Sequence, residues 1–111
     1  MLTQTERDQL TRLANSHDSL PAEPGNLRVW WIPQIPGKPF HYRVADLDQA
    51  LLLLSALAAY DAFQLVHNIK GDYANTGGLE IFDTTELKDG EWVEWCDPET
   101  GNDIHEYRDG L

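Results

Sequence analysis

The sequence has little positive charge, a single cysteine and no long apolar run. Only 8 Lys and Arg residues oppose 19 Asp and Glu residues in a chain of 111, which gives a formal net charge of −11. Because phosphate would be repelled, this balance argues against direct binding to nucleic acid and against docking on an anionic membrane. It favours a partner with a basic surface, such as a protein surface that normally holds nucleic acid.

The scarce residue types also limit compartment and class. With Cys96 alone, no intramolecular disulfide can form. The apolar runs 50–54 and 56–60 are shorter than the roughly 20 residues of a membrane span, and no basic leader with an apolar core opens the chain. We therefore expect a cytoplasmic protein. A hydrophobic content of 41% with four Trp residues predicts one globular domain over residues 1–111 rather than a disordered chain.

The negative charge is concentrated in the last part of the sequence. Residues 72–111 contain twelve Asp and Glu residues and only Lys88 and Arg108 as bases, so their formal charge is 2 − 12 = −10. Residues 1–71 contain seven acids and six bases, a charge of −1. Since Trp92, Trp95 and Tyr107 lie among the acids, we interpret the segment as a folded acidic surface and not as a tail.

The first half of the chain predicts a helix, a hairpin and a second helix. Thr3 and Glu6 form a capping-box pattern before a helix over about 4–15. Strands at 27–32 and 40–44 flank a proline-rich loop and form a hairpin, with Leu27, Val29 and Trp31 on one face. Asp46 is the N-cap of a helix over 47–63 that is apolar all round. Such a helix lies centrally under a sheet, or its second face is covered by another subunit in a homodimer.

The second half predicts a C-terminal antiparallel meander. A turn-rich loop at 72–78 precedes strands at 79–82, 91–96 and 102–107, and the turn at 97–101 places Gly101 in the left-handed region. Gly77 and Gly78 allow positive φ or a close backbone approach. A short helix from Asp103 is the alternative to the third strand. The expected fold is α+β: an N-terminal helix, a β-hairpin, a central apolar helix and a meander, forming one small sheet.

The sequence contains no convincing catalytic or metal-binding pattern. The four histidines are scattered, and the segment from Asp97 to Asp103 departs from a calcium loop because its glycine is at the fifth position and no Glu is at the twelfth. Cys96 and His105 could meet on adjacent strands, but acidic neighbours raise a thiol pKa and weaken a nucleophile. We therefore predict a protein that is not an enzyme and needs no cofactor or metal.

Two surfaces are candidates for binding a partner. On strands that rise roughly 3.3 Å per residue, alternate carboxylates would form rows about 7 Å apart that imitate phosphates, although an acidic face can also serve solubility alone. The other candidate is an aromatic and loop surface. The acidic candidates are Glu80, Asp83, Glu91, Glu94, Asp97, Glu99, Asp103 and Glu106, and the aromatic and loop candidates are Trp30, Tyr73 and Asn75.

Four segments resemble a known family: RVWWIPQIP at 28–36, KPF at 38–40, YD-x-FQ at 60–64 and NIK-x-DYANTGGL at 68–79. They are similar to small acidic proteins of phages, prophages and integrative elements that are labelled superinfection-exclusion proteins. The resemblance covers roughly residues 27–97. It implies a role in competition between phage, host and rival phage, and it supplies neither catalytic residues nor a mechanism.

Resemblance and charge together lead to one functional hypothesis. The chain would inhibit a host defence or nucleic-acid-handling protein by stoichiometric binding through its acidic face, in the manner of anti-CRISPR or anti-restriction proteins. The alternative is an interaction module or immunity protein that uses the aromatic and loop surface.

Overall fold

Seven elements build the structure, a computed structural model that describes residues 1–69, 71 and 73–111. They are α1 (Gln4–Ala14), β1 (Leu27–Ile32), β2 (Phe40–Val44), α2 (Leu47–Val66), β3 (Thr76–Asp83), β4 (Glu91–Glu94) and α3 (Ile104–Asp109). The strands form one antiparallel sheet in the order β2-β1-β3-β4. The predicted α+β fold with its hairpin is confirmed. Lys70 and Asp72, the first residue of the predicted loop 72–78, lie outside the described residues.

The core lies between α2 and one face of the sheet, here called the helix face. Strand residues alternate between the two faces, and the predicted inward face of β1 is confirmed because Val29 and Trp31 are buried. They pack with Ala50 and Leu54 of α2 and with Leu79 of β3 in a single cluster. Leu79 lies directly across from Val29 in the β1–β3 ladder, so the central strand pair forms the floor of the core.

Helix α1 begins with the predicted capping box. The Glu6 backbone N–H donates to Thr3 Oγ1 at 3.1 Å, and the Thr3 backbone N–H donates to Glu6 Oε1 at 3.0 Å. Hydrogen bonding of the Glu6 carboxyl to the Thr3 backbone N–H, and to a lesser extent to the Thr3 hydroxyl, lowers the pKa of that carboxyl below its usual value. No residue of α1 is buried, so this helix lies on the surface of the fold.

Helix α2 is apolar on two opposite sides. Asp46 caps it as predicted, accepting the Gln49 N–H at 2.8 Å, and the helix continues one turn beyond the predicted end. Ala50, Leu54 and Asp61 face the sheet and are buried. Within the described part of the chain, α2 alone is long and apolar enough to cross a membrane, a criterion that the core helix of a soluble protein can also meet. The apolar runs 50–54 and 56–60 counted in the sequence are interrupted by Ser55 and end at Asp61. The helix continues through both residues to Val66, so its full apolar length was underestimated.

Strand β3 begins earlier than predicted and includes the glycine pair. Gly77 and Gly78 pair with Trp31 and Trp30 of β1, so they belong to the sheet and not to the loop before it. Of the two alternatives for this pair, close backbone approach is the one observed, because an added Cβ at Gly78 would lie 2.7 Å from Trp30 Nε1. The absent side chains leave room for the two indoles.

The turn after β4 forms as predicted, with Gly101 at φ +77°. Asp97 starts it: its Oδ1 accepts the Glu99 N–H and its Oδ2 accepts the Thr100 hydroxyl, both at 3.1 Å. These bonds, with that from Gly101 N–H to Asp97 O at 2.7 Å, close the turn on itself.

The predicted third strand at 102–107 is wrong, and the alternative helix from Asp103 is confirmed as α3. Asp103 Oδ1 accepts the Glu106 N–H at 2.9 Å and Glu106 Oε1 accepts the Asp103 N–H at 3.1 Å, a complete capping box. Tyr107 meets Trp95 edge-on, with ring centroids 5.7 Å apart.

Candidate functional site

Residues 94–111, which include α3 and the turn before it, carry a concentrated negative charge and are here called the acidic end. With six acids against Arg108, its formal charge is 1 − 6 = −5. Two contacts fix α3 against the sheet: Ile104 is 2% exposed in the core, and His105 Nε2 donates to the Gly77 carbonyl at 2.6 Å. The acids are Glu94, Asp97, Glu99, Asp103, Glu106 and Asp109.

Local hydrogen bonds hold three of these carboxylates in place. Asp97 is held by its turn, and Asp103 and Glu106 hold each other's backbone N–H groups in the capping box. An ionised carboxylate has about four lone-pair sites, so each of the three can accept further bonds from a partner. Glu94 and Glu99 are exposed, and their side chains accept no hydrogen bond from the described residues.

Two depressions around α3 show that these acids are neighbours in space. One, of about 160 Å³, lies between the first residues of β3 and the start of α3, and both Glu94 and Asp103 line it. The other, of about 200 Å³, lies beside the turn, and both Asp97 and Glu106 line it. Four of the six acids, Glu94, Asp97, Asp103 and Glu106, are therefore grouped at or beside α3.

The rows of carboxylates expected across three strands do not form. Since α3 replaces the third strand, Asp103 and Glu106 follow helical and not strand spacing. In the β3–β4 ladder Glu80 lies opposite Glu94 and Asp83 opposite Glu91. Because faces alternate along β4, Glu91 and Glu94 lie on opposite faces of the sheet. Asp83 accepts the Thr85 N–H and hydroxyl and so holds the turn after β3.

Two arginines balance the charge on the face of the sheet turned away from α2. Arg28 Nε lies 2.8 Å from Glu80 Oε1, and both side chains are largely buried. The Cζ atoms of Arg28 and Arg43 lie 4.4 Å and 5.2 Å from the centre of the Trp92 ring, within cation–π distance. Arg28 and Arg43 therefore make the middle of this face, around Glu80 and Trp92, non-acidic, whereas Glu94 lies beside Asp103 at the acidic end.

The aromatic and loop candidates are engaged in internal contacts. Trp30 lies against Gly78 of the neighbouring strand β3. Asn75 Nδ2 donates to Asp61 Oδ2 at 2.8 Å, and the same oxygen accepts Trp31 Nε1–H at 3.2 Å. Tyr73 is half exposed and its hydroxyl donates to the Ala58 carbonyl at 3.4 Å.

Metal-binding geometry is not found in the part of the chain that the structure describes. No three His, Cys, Asp or Glu side chains gather there in a group that could hold an ion. Cys96 is exposed on the surface, while the His105 ring is bound to the carbonyl of Gly77.

Comparison with known proteins identifies the family of this chain. The family described as superinfection exclusion gene product 17 matches residues 26–111. The superinfection exclusion protein of Salmonella phage P22 is 42% identical over 94 residues, which cover 77% of this chain and 91% of the relative. The chain belongs to the superinfection exclusion gene product 17 family. No solved structure shows a significant match.

The match to the superinfection exclusion family extends the resemblance seen in the sequence. That resemblance ended near residue 97, whereas the family match continues to Leu111 and includes the whole acidic end. It begins at Asn26, immediately before β1, and leaves α1 outside. The part of the chain shared with the family is therefore the sheet, α2 and the acidic end.

Sequence reasoning missed two residues that decide how the acidic candidates are placed: one positions α3 and the other neutralises Glu80. His105 was considered only as a catalytic partner, yet it joins α3 to β3. Arg28 lies 52 positions before Glu80, so only the strand order reveals the pair. A local signal existed for α3 itself: Asp103 and Glu106 have the spacing of a capping box, the same pattern that located α1.

Proposed function

We propose that this member of the superinfection exclusion family acts without catalysis or cofactor, by binding a basic surface of a host defence or nucleic-acid-handling protein in the cytoplasm of the host cell. The acidic end is the contact surface. The observation that supports this is the charge of −5 on residues 94–111, with carboxylates held at fixed positions around α3. Binding there would exclude phosphate from the partner's surface.

Fixed carboxylates suit such a contact for an energetic reason. Binding costs free energy when mobile side chains become ordered, at about 0.5–1.5 kcal/mol for each side chain. Asp97, Asp103 and Glu106 are already ordered by their own backbone bonds, so they avoid most of that cost. A charge concentrated on one patch also steers a basic partner toward it.

The proposed contact surface is smaller than the one suggested by the sequence. It contains Glu94, Asp97, Glu99, Asp103 and Glu106. Outside it lie Glu80, which is paired with Arg28, and the opposed pair Asp83 and Glu91.

A charge-reversal pair tests the proposal. Glu94→Lys/Glu99→Lys changes two exposed carboxylates that have no structural bond, and we expect at least a tenfold loss of exclusion, measured as plating efficiency of a second phage on cells that express the variant. Glu86→Lys/Asp89→Lys is the matched control, because it changes net charge equally in the exposed turn between β3 and β4. The control variant should exclude the second phage as well as wild type does. Circular dichroism checks that both variants fold.

Two results would contradict the proposal. If both double variants exclude as wild type does, the acidic end is not the contact. If both lose exclusion equally, total charge and not position matters. Once a partner is known, its affinity should also fall steeply between low and high salt, because exposed charges are screened beyond about 10 Å at 0.1 M.

A further inference from the structure

The side of α2 that points away from the sheet carries a regular apolar pattern. Leu52, Ala56, Ala59, Phe63 and Val66 follow one another at intervals of four, three, four and three residues. All five are exposed, including 73% of Leu52, 52% of Phe63 and 74% of Val66. This spacing is typical of a helix that packs against another helix along its length. We call these five residues the α2 seam.

The α2 seam lies directly opposite the side that packs on the sheet. Leu54, 2% exposed in the core, and Phe63 are nine residues apart, which is about two and a half turns of helix. The chain's own sheet therefore cannot cover the seam. In helix α2 the only charged residues are Asp61, which is buried on the sheet side, and Asp48, which is exposed one turn before Leu52 and lies beyond the N-terminal end of the seam.

We propose that the α2 seam binds the α2 seam of a second copy of this chain, antiparallel, around a two-fold axis that passes Ala59. A two-fold interface joins the same patch on both copies and must therefore be complementary to itself. Leu52 and Val66 are both seven residues from Ala59, so each faces the other across the axis.

The remaining seam positions also fit this axis. Ala56 is three residues and Phe63 four residues from Ala59. The axis therefore brings Phe63 of each copy opposite Ala56 of the other, so a large ring faces a small side chain at both ends of the contact. The small residue on the axis allows the two backbones to approach.

Charge favours a second copy over a lipid surface as the occupant. Two chains of −11 repel each other, and contact is cheapest where the surface is uncharged, as it is along the α2 seam. Helices that lie on membranes carry Lys and Arg beside their apolar face, whereas residues 47–66 contain neither. Anionic lipid would repel the acidic chain.

The exposed area is large enough for a specific dimer. Leu52, Phe63 and Val66 of the seam, and Tyr60 beside it, are half to three quarters exposed, which leaves on the order of 100 Å² of each side chain uncovered. With the alanines, two copies would bury on the order of 1,000 Å² in total, about the smallest area expected of a specific interface. The acidic end lies on other elements, so a dimer would present two acidic ends.

Measuring the oligomeric state tests the proposal independently of exclusion. Wild type should sediment as a dimer at micromolar concentration without detergent. Ala59→Glu places two like charges together at the axis, and we expect dimerisation to weaken by about 100-fold or more. Leu13→Glu is the matched control, because it adds a charge at a similarly exposed position in α1 and should leave the dimer intact.

Crosslinking tests the position of the axis. In a Cys96→Ser background, Ala59→Cys should form a disulfide-linked dimer on mild oxidation, because residues on the axis lie within bonding distance. Leu13→Cys in the same background should remain monomeric under denaturing, non-reducing electrophoresis.

Several outcomes would overturn the proposal. They are a monomeric wild type, a dimer that survives Ala59→Glu, an absent crosslink at position 59, and a wild type that is monomeric in solution and sediments with phosphatidylglycerol vesicles.

Discussion

Trp30 of β1 lies directly across from Gly78 of β3, and its indole occupies the space that a side chain at position 78 would need. The neighbouring pair, Trp31 and Gly77, repeats the relationship on the helix face. On each face of the sheet, an indole of β1 therefore packs against a glycine of β3. The two pairs join the central strands next to the carbonyl that holds His105, and so they link the core to the acidic end.

Adding a methyl group at either glycine should destabilise the fold. In Gly78→Ala the new Cβ would lie 2.7 Å from Trp30 Nε1, and in Gly77→Ala it would collide with the Trp31 ring in the core. We expect losses of about 1–3 kcal/mol in the free energy of unfolding, larger at Gly77, measured by urea denaturation. Gly71→Ala is the control, since a Cβ there has open space. Equal stability of all three variants would contradict the role of the close contacts.

The buried carboxylate of Asp61 should be essential to stability. It accepts hydrogen bonds from Trp31 Nε1–H and Asn75 Nδ2–H, joining α2 to β1 and to the segment before β3. Asp61→Ala leaves these donors without their acceptor, and we expect a loss of about 2–4 kcal/mol. Asp61→Asn keeps a side-chain oxygen and should lose less. Denaturation followed by tryptophan fluorescence measures both, and an unchanged Asp61→Ala midpoint would show that the bonds contribute little.

Arg28 should stabilise the β3–β4 ladder by neutralising Glu80, which otherwise lies opposite Glu94. We expect Arg28→Ala to cost about 1–2 kcal/mol, through the lost ion pair and the lost stacking on Trp92. Glu80→Ala should cost less, because it also removes a like-charge contact. In a double-mutant cycle the two changes should not be additive. Additive free energies would mean that the pair is not coupled.

Capping and charge at α3 can be separated by substitution. Asp103→Asn/Glu106→Gln keeps the oxygens of the capping box and removes two charges. The free energy of unfolding should therefore change by less than about 0.5 kcal/mol, while exclusion of a second phage decreases. Asp103→Ala removes the cap and should cost about 1 kcal/mol. Thermal unfolding and plating efficiency are measured for both. Full exclusion by the amide variant would contradict the proposed role of charge at these positions.

Local patterns predicted the elements whose bonds are local. The capping box of α1, the Asp46 cap, the β1–β2 hairpin and the turn that ends at Gly101 depend on residues a few positions apart, and the structure shows each of them. The segment 102–107 was ambiguous because its aromatic residues suit a strand while its caps suit a helix. Packing of Ile104 and Tyr107 against the core accompanies the helical form.

The placement of charge could not be predicted in the same way. Glu80 appeared free in the sequence, but the order β2-β1-β3-β4 brings β1 beside β3 and supplies Arg28. The rows of carboxylates failed for the same reason, since faces and neighbours depend on the sheet order and on the third segment becoming a helix.

Residue identity and short-range geometry are enough to predict the family, the charge of the terminal segment and the local elements. The folded arrangement is needed to see which acids are neutralised, which gather around α3, and which side of α2 remains exposed. Those properties arise from contacts between residues far apart in the chain. Their energies depend on burial and on distance in space rather than on position in the sequence.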